Sequence, residues 1–584
     1  MRPLLLAALA LRFAVPFGVL APLAAHAQSL AVVSASPAPN AIGIARSAPL
    51  TVTFDRAIDP ASVTAATVRV MGRWSGPVPG TLSVTGAALS FTPSRPFAAG
   101  ETVTLQVART VRGMDGQTLD GGRGWTYWAA VTPGTPDLTI IDTVEVRQTG
   151  EGNIVTYGGS AADFNGDGWG DLLVSNEVAN DTRLFLNDGT GRYGPLTVVP
   201  LPNGAVPSPV ETGDFDGDGD MDAVIANTGG NRVSVLLNDG PGTFTTRTSY
   251  LAGQAVRGLA VLDLDGDGID EIVTGNYTAD NVTVLKGGAG GTFGAPQALA
   301  GTYDGPYALS VADADADGRL DLYLATRPNQ MVQTLLGDGD GGLTPIATPT
   351  FSCGGPWQIA SGDLDNDGDA DLAVAGSFCN VVTVHFADGN GAFSSALQMN
   401  TGSFVIAIDL GDLDGDGDLD LVTSNYSSRD FRIHYNLGSG TFAAPVRLVV
   451  AGAGSCALLH DRDNDGDLDV TGVDEVDDRL YLYENHSVTT GTAPTVAPSA
   501  LGLALAGPNP AHGTTALRVT APAASPARIV LYDALGRTVA VLHDGPLASG
   551  DTLLRVDVAT LAPGLYVARA TTATGAVSVR MAVQ

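Results

Sequence analysis

Between Leu138 and Asn485 short apolar runs alternate with acidic, glycine-rich turns on a fixed period. Runs such as Leu172-Leu173-Val174, Ala223-Val224-Ile225 and Ile272-Val273 are apolar at consecutive positions, which predicts strands buried on both faces. Each follows a nine-residue polar segment. The first copy is Asp163-Phe164-Asn165-Gly166-Asp167-Gly168-Trp169-Gly170-Asp171, and the others open at Asp214, Asp263, Asp313, Asp363, Asp412 and Asp461, always 49 to 51 residues apart. Seven copies on a period near fifty predict a modular β array. Each unit reads as four strands: one ending at the acidic segment, one just after it, a third such as Val233 to Leu237, and a fourth beyond a Gly-x-Phe turn. The seventh unit stops early, after Glu484-Asn485-His486, while Thr139 to Arg147 forms an unassigned strand ahead of the first copy. These defects complement each other, so that strand is expected to complete the last unit and close a ring.

The acidic segments carry the chemistry. Oxygen-bearing side chains fall at positions 1, 3, 5 and 9: Asp163, Asn165, Asp167 and Asp171 in the first copy, then Asp214, Asp216, Asp218 and Asp222 in the second. The third has Asp263, Asp265, Asp267 and Glu271, and the fourth Asp313, Asp315, Asp317 and Asp321. The last three have Asp363, Asp365, Asp367 and Asp371; Asp412, Asp414, Asp416 and Asp420; and Asp461, Asp463, Asp465 and Asp469. Position 7 adds Asp220, Asp369, Asp418 and Asp467, but Trp169, Ile269 and Arg319 there can lend only a backbone carbonyl. Carboxylates packed this closely repel and take up protons unless a cation sits among them. A hard cation with six to eight oxygen ligands and tolerant geometry fits, which favours Ca²⁺ over Mg²⁺, with about seven sites expected. Position 6 is Gly in every copy, and position 4 is Gly or Asn except at Ala316, which predicts left-handed backbone at both. An EF-hand is excluded because position 12 is Val174 or Ile225 and a strand-like run follows.

These loops, with the hairpin Asn238-Asp239-Gly240-Pro241-Gly242-Thr243-Phe244, resemble the FG-GAP/VCBS family, whose calcium-loop blades also occur in integrin α-subunit propellers. The resemblance implies a seven-bladed β-propeller over 138–487, with each loop joining the first two strands of a blade and its ligands at the positions named above. Upstream, residues 30–132 alternate apolar and polar positions, and Leu50-Thr51-Val52-Thr53-Phe54-Asp55, Ile58-Asp59-Pro60 and Phe91-Thr92-Pro93 resemble a bacterial Ig-like domain of the SbsA type. Asp115 and Asp120 read there as polar turn residues. Downstream of a linker at 488–502, residues 503–584 carry Pro508-Asn509-Pro510, Val530-Leu531-Tyr532-Asp533-Ala534-Leu535-Gly536-Arg537 and Leu561-Ala562-Pro563-Gly564-Leu565-Tyr566-Val567. They resemble the C-terminal sorting domain of the type IX secretion system, which implies engagement of that machinery and delivery to the medium or outer cell surface. The expected fold class is all-β: a seven-bladed β-propeller flanked by two Ig-like β-sandwich domains.

Residues 1–27 read as an export signal, with Arg2 and Arg12, an apolar run from Phe13 to Ala24 broken by Pro16 and Pro22, and Ala25-His26-Ala27 as the cleavage site. No other stretch is apolar enough to span a bilayer. Of three cysteines, Cys353 and Cys379 flank the fifth loop and are expected to pair, leaving Cys456 as a buried thiol.

The formal net charge is −32, and the seven segments hold 32 of the 62 acidic residues. The acidity is therefore mostly a property of the loops, and no basic stripe exists to meet nucleic-acid phosphates. No nucleophile, zinc or phosphate-loop motif is present. His385 and His434 occupy equivalent third-strand positions and read as repeat architecture, and His460 beside Asp461 reads as a cap on that loop. Two function classes fit: a binding or adhesion protein for glycan or protein ligands, and a polysaccharide lyase or hydrolase built from propeller loops. Both direct attention to the face opposite the acidic loops. There Tyr277, Tyr303, Tyr307, Arg327, Trp357 and Tyr426 lie in loops expected to vary in length and character.

Overall fold

The doubly apolar runs become the second strands of seven antiparallel sheets, six of four strands and one of five among the described residues, in the computed structural model of the chain. The structure describes residues 28–133, 138–301, 303–346 and 350–486, and in the C-terminal part 502–505, 514–521, 525–533, 537–547, 550–558, 561–572 and 575–583. The export signal, the linker expected before Gly502 and the Pro508-Asn509-Pro510 signature lie outside the described residues.

In the first sheet the strands are Thr156–Ala162, Asp171–Asn176, Asp181–Phe185 and Thr197–Pro200, in that order from the inside outward. Every second strand, from Asp171–Asn176 to Asp469–Asp474, is buried at all six positions. Burying a Val, Leu or Ile side chain contributes about 1.5–3 kcal/mol. A strand apolar on both faces therefore needs a neighbouring sheet on each side, and a ring supplies that without ends. The innermost strands pack in cyclic order, and Gly454–His460 of the last sheet lies against Thr156–Ala162 of the first.

Closure follows the expectation from the truncated seventh unit. Leu138–Glu145 is the fourth strand of the last blade, running antiparallel to Arg479–Asn485 from Arg479↔Glu145 to Asn485↔Leu138. A second lock crosses the same seam: Asn187 Nδ2 donates to the Arg462 carbonyl at 2.9 Å.

The N-terminal segment forms two four-stranded sheets. One contains Val32–Ser36, Leu50–Phe54, Ala88–Pro93 and Gly80–Thr85, and the other Gly76–Pro77, Val68–Gly72, Thr102–Val107 and Arg123–Trp128. Leu50, Val52, Phe54, Val70, Phe91, Leu105 and Tyr127 fill the space between them. This sandwich and the ring belong to one compact unit that ends at Ser487. The second unit has a three-stranded sheet (Gly502–Leu505, Thr514–Ala521, Gly550–Asp557) and a four-stranded sheet (Thr538–Leu547, Ser525–Asp533, Gly564–Thr572, Gly575–Val583). Leu517, Leu531, Val556, Tyr566 and Met581 form its core. Among the described residues no helix is long and apolar enough to cross a membrane.

Cys353 and Cys379 are disulfide-bonded, with Cα atoms 6.1 Å apart, and Cys456 is a buried free thiol whose pKa burial pushes up to about 12. Peptide mapping of non-reduced protein should recover this one bond. A loop of that length predicts that replacing both cysteines with Ser destabilises the protein by about 3 kcal/mol in a denaturant titration.

Candidate functional site

The acidic segments fold as seven near-identical loops, held first by their own backbone. Position 4 is left-handed in every copy, including Ala316 at φ 57°, and position 6 has φ between 80° and 101°. The turn aims amides inward at carboxylates. Position 1 accepts from the position 6 amide, as in Gly168 N to Asp163 Oδ2 at 2.9 Å, and position 5 accepts from position 7, as in Trp169 N to Asp167 Oδ1 at 2.9 Å. Position 9 stitches the loop to the blade. Asp222 accepts from Phe215 N and Asn238 N, Asp371 from Leu364 N and Ala387 N, and Asp420 from Leu413 N and Asn436 N, all at 2.7–2.9 Å.

Three carboxylate oxygens come within 4.8 Å of one another in five named loops: Asp214, Asp216 and Asp218; Asp263, Asp265 and Glu271; Asp313, Asp315 and Asp321; Asp363, Asp365 and Asp371; Asp412, Asp414 and Asp420. Whether this donor set fits a cation is decided by its unanswered oxygens. Oδ1 of Asp265, Asp313, Asp365, Asp412 and Asp461 is buried with no hydrogen-bond partner, a costly state that a cation relieves. Left to themselves, burial pushes Asp363 to about 6, Asp171, Asp321 and Asp412 to about 7, Asp222 and Asp371 to about 8, and Asp420 to about 9. The set fits a hard divalent ion.

The carboxylates of Asp220, Asp369 and Asp418 lie against Gly240, Gly389 and Gly438 in the outer hairpin of their own blades, outside the oxygen groups named above. The Arg319 side chain pairs with Asp317 and with Asp120 of the sandwich. Loop 3 carries its own ammonium, since Lys286 Nζ pairs with Asp265 and lies 3.6 Å from Asp267. There Glu271 keeps the position 9 stitch, accepting from Leu264 N at 2.9 Å.

The sandwich sits on this loop face, an arrangement with no signal in either segment alone. Position 6 carbonyls are its main footing: Gly318 O accepts from Gly124 N at 2.9 Å, Gly368 O from Asn40 Nδ2 at 3.0 Å, Gly268 O from Arg69 Nη1 at 2.8 Å and Gly466 O from Thr132 N at 2.6 Å. Asp163 N donates to Trp74 O at 2.8 Å. Backbones touch at Gly122 and Gly266, where a Cβ on Gly122 would stand 2.4 Å from Gly266 Cα. Asp120, expected to be a turn residue only, is part of this contact through Arg319. His460 does not cap its loop; it bonds Thr471 Oγ1 at 2.9 Å and meets the Trp74 ring edge-on.

The sandwich also floors the central channel. Arg73 reaches up from it to Asp409 at 2.9 Å, with Glu211 nearby, and burial pushes Glu211 up to about 7. Above lies a cavity of about 440 Å³. Its walls come from a device repeated in every blade, a register shift in the innermost strand just after its start. Such bulges re-aim a side chain. The residue six before each first Asp (Tyr157, Ser208, Arg257, Tyr307, Trp357, Ile406 and Ser455) lines the channel. Trp357 Nε1 donates to the Tyr157 hydroxyl, tying the fifth blade to the first.

At the open end the predicted aromatics gather, with one exception. Tyr307 meets Tyr277 and Trp357 edge-on at 5.4 and 5.3 Å, Phe404 meets Trp357 at 5.4 Å and Tyr426 at 6.0 Å, and Arg327 lies 4.0 Å over Trp357. Tyr303 is instead buried in the core between the third and fourth blades. The turns between second and third strands differ only in side chains. Each has four residues, because all seven second strands end, and all third strands begin, at equivalent positions. The expected variation in length is absent.

The FG-GAP-like repeat profile matches residues 163–225, 214–274, 263–324, 313–374, 363–423 and 412–470, together more than half of the chain. The chain belongs to the FG-GAP-like repeat family. A bacterial Ig-like domain profile matches residues 27–128, and a secretion system C-terminal sorting domain profile matches 507–584. The sorting domain marks proteins exported by type IX secretion to the cell surface or extracellular space. Among solved structures the chain is similar to one described as "Structure of Dos1 propeller", at 11% identity over 72% of this chain and 97% of that one, with a TM-score of 0.37. No curated protein matches.

Within the FG-GAP blades one working residue escaped the sequence reading. Asn187, Asn238, Asn436 and Asn485 stand at or just past the ends of third strands, sixteen residues after position 9, and Asn238 Nδ2 donates to Phe164 O in the loop of the preceding blade at 2.6 Å. Asn436 and Asn485 repeat the bond to Leu364 O and Leu413 O. The recurring offset was the available signal. Its meaning needed the neighbouring blade.

Proposed function

We propose that this is an exported, calcium-loaded propeller whose channel mouth binds a glycan, serving in adhesion or capture. The observation that carries the reading is the ring of bulged strands, which turns Tyr157, Arg257, Tyr307 and Trp357 into one mouth on the face opposite the loops. Aromatic faces beside polar groups on a stiff scaffold suit sugar recognition. Calcium supplies the counter-charge in the loops. Position 1, 3, 5 and 9 side chains hold it, with the position 7 carbonyl as the fifth protein oxygen, and about seven ions are expected. The sorting tail and the expected signal at 1–27 place such a protein outside the cell, where Ca²⁺ modules commonly bind at roughly 10⁻⁴ to 10⁻³ M.

The test is glycan binding by the full chain in millimolar Ca²⁺, with chain cleavage assayed on the same samples. Trp357→Ala is expected to weaken glycan binding at least tenfold with a modest fall in melting temperature from the lost Tyr157 bond, because Trp357 is only half-buried, whereas Tyr307 is 5% exposed and doubles as core. Binding unaffected by Trp357→Ala would move the site elsewhere, and cleavage of the glycan would make the protein an enzyme.

The fourth loop supplies a second check. Ala316 holds a left-handed backbone that costs a non-glycine residue about 1–2 kcal/mol. Ala316→Gly should tighten that site and raise the melting temperature in Ca²⁺, the gain reduced by the roughly 0.5–1 kcal/mol of extra chain entropy glycine loses on folding. A flat or weakened site, followed by calcium titration calorimetry, would mean that position 4 does not limit the loop.

A further inference from the structure

Two guanidinium groups at the channel mouth stack on aromatic rings and stand in no direct ion pair among the described residues. Arg257 and Arg327 lie over the Tyr307 ring, 5.6 and 4.8 Å from its centroid, and Arg327 also lies 4.0 Å over Trp357. Both are half-buried, and among the described residues neither forms an ion pair. Other arginines drawn into the interior are answered: Arg183 by Glu151 at 2.7 Å and Asp181 at 3.3 Å, and Arg462 by Glu484 at 2.5 Å and Asp469 at 3.3 Å. Stacking on a ring returns only about 0.5–2 kcal/mol and leaves the N–H edge of a half-buried guanidinium free to meet an incoming acceptor.

The rest of the mouth is polarised against these cations. Glu177 and Glu475 open the second-to-third-strand turns of the first and seventh blades, the position that Arg327 holds in the fourth, with equivalent amide bonds to Val155 O, Ala453 O and Gly305 O. The channel is also blind, with Arg73 of the sandwich as its floor. A well of this shape admits the end of a chain more readily than its middle.

We propose that the mouth takes the carboxylate-bearing terminal sugar of an acidic glycan, with Arg327 meeting the carboxylate, Trp357 against the sugar ring and Glu177 and Glu475 accepting from hydroxyls. The proposal rests on the reading of the mouth as a glycan site. A sugar fits better than a peptide C-terminus because its ring offers several hydroxyl donors to the carboxylates at once, whereas a peptide end offers one backbone N–H per residue. The acidity of the protein is no obstacle, since more than half of its carboxylates belong to the loops on the other face.

The experiment is calorimetric titration of the full-length protein in Ca²⁺ with a neutral oligosaccharide ending in a single glucuronate. Its methyl ester, an isomer carrying the glucuronate internally, and a peptide with a free C-terminal carboxylate complete the set. The terminal acid should bind at least tenfold more tightly than each of the other three. Arg327→Gln should bring it down to the ester's affinity, and Arg327→Lys should restore part of the difference, because the charge survives without the fork. Equal binding of acid and ester, or an acid affinity unmoved by Arg327→Gln in a protein of unchanged melting temperature, overturns the carboxylate assignment and leaves the glycan reading standing. Equal binding of the internal isomer overturns the terminal assignment, and tighter binding of the peptide transfers the site to protein ends. Failure of every sugar to bind overturns both readings.

Discussion

Stripped of calcium by chelator at neutral pH, the protein is expected to melt at least about 10 °C below its calcium-saturated form. Each site held at a hundredfold excess over its Kd adds about 2.7 kcal/mol to the folded state, and 1 kcal/mol moves the melting point by about 2–4 °C in a domain of 150–250 residues and by less in a larger ring. Several loops acting together are enough. The pH dependence should reverse between the two forms. Without calcium, burial raises the loop carboxylates from 3.8 in the unfolded chain to values between about 6 for Asp363 and about 9 for Asp420. A raised folded pKa gives stability that is present at low pH and is lost as pH climbs through the folded value. The chelated protein should therefore melt higher at pH 6 than at pH 9, while the calcium form should lose stability over the same descent as protons displace the metal. Melting curves in chelator and in calcium at several pH values check both signs. Equal melting points, or parallel slopes, would show that the loops are not calcium sites.

Gly122→Val is expected to lift the sandwich off the loop face while leaving calcium binding nearly intact. The Gly122 and Gly266 backbones meet with no room for a side chain, whichever residue carries it. Forced apart there, the neighbouring bonds from Gly124 N to Gly318 O and from Thr132 N to Gly466 O would break with them. Amide exchange over residues 121–132 should accelerate at least tenfold. Arg73 would leave Asp409, opening the channel floor. Chelator should accelerate exchange of the same amides in the wild-type protein, since the carbonyls that hold the sandwich belong to the loops proposed to hold the metal. Protection unchanged in the variant would mean that the two bodies are held by other contacts.

The loops and the ring were legible because both are local or periodic. Nine residues suffice to set the Asx turns, the left-handed positions and the inward carboxylates, and a strand such as Asp371–Gly376 announces by its own side chains that both its faces are covered. The missing fourth strand of the last unit and the surplus strand at Leu138–Glu145 needed only to be counted. The approach of Asp220 to the Gly240 turn was not legible in the loop, because that turn is supplied by the outer hairpin.

What the sequence by itself determined is therefore the repeat, its acidic loops and the closure of the ring. Only the tertiary structure decided where the sandwich sits and what the channel presents. Its seat depends on backbone carbonyls at Gly268, Gly318, Gly368 and Gly466, which carry no side-chain signature. The channel mouth depends on a bulge whose residues, Tyr157, Arg257, Tyr307 and Trp357 among them, share an offset but no chemistry. They become one site because a closed ring brings strands some fifty residues apart in sequence to a single axis. A linear pattern reports which face of its own strand a residue occupies, and convergence on an axis is a property of the assembled ring.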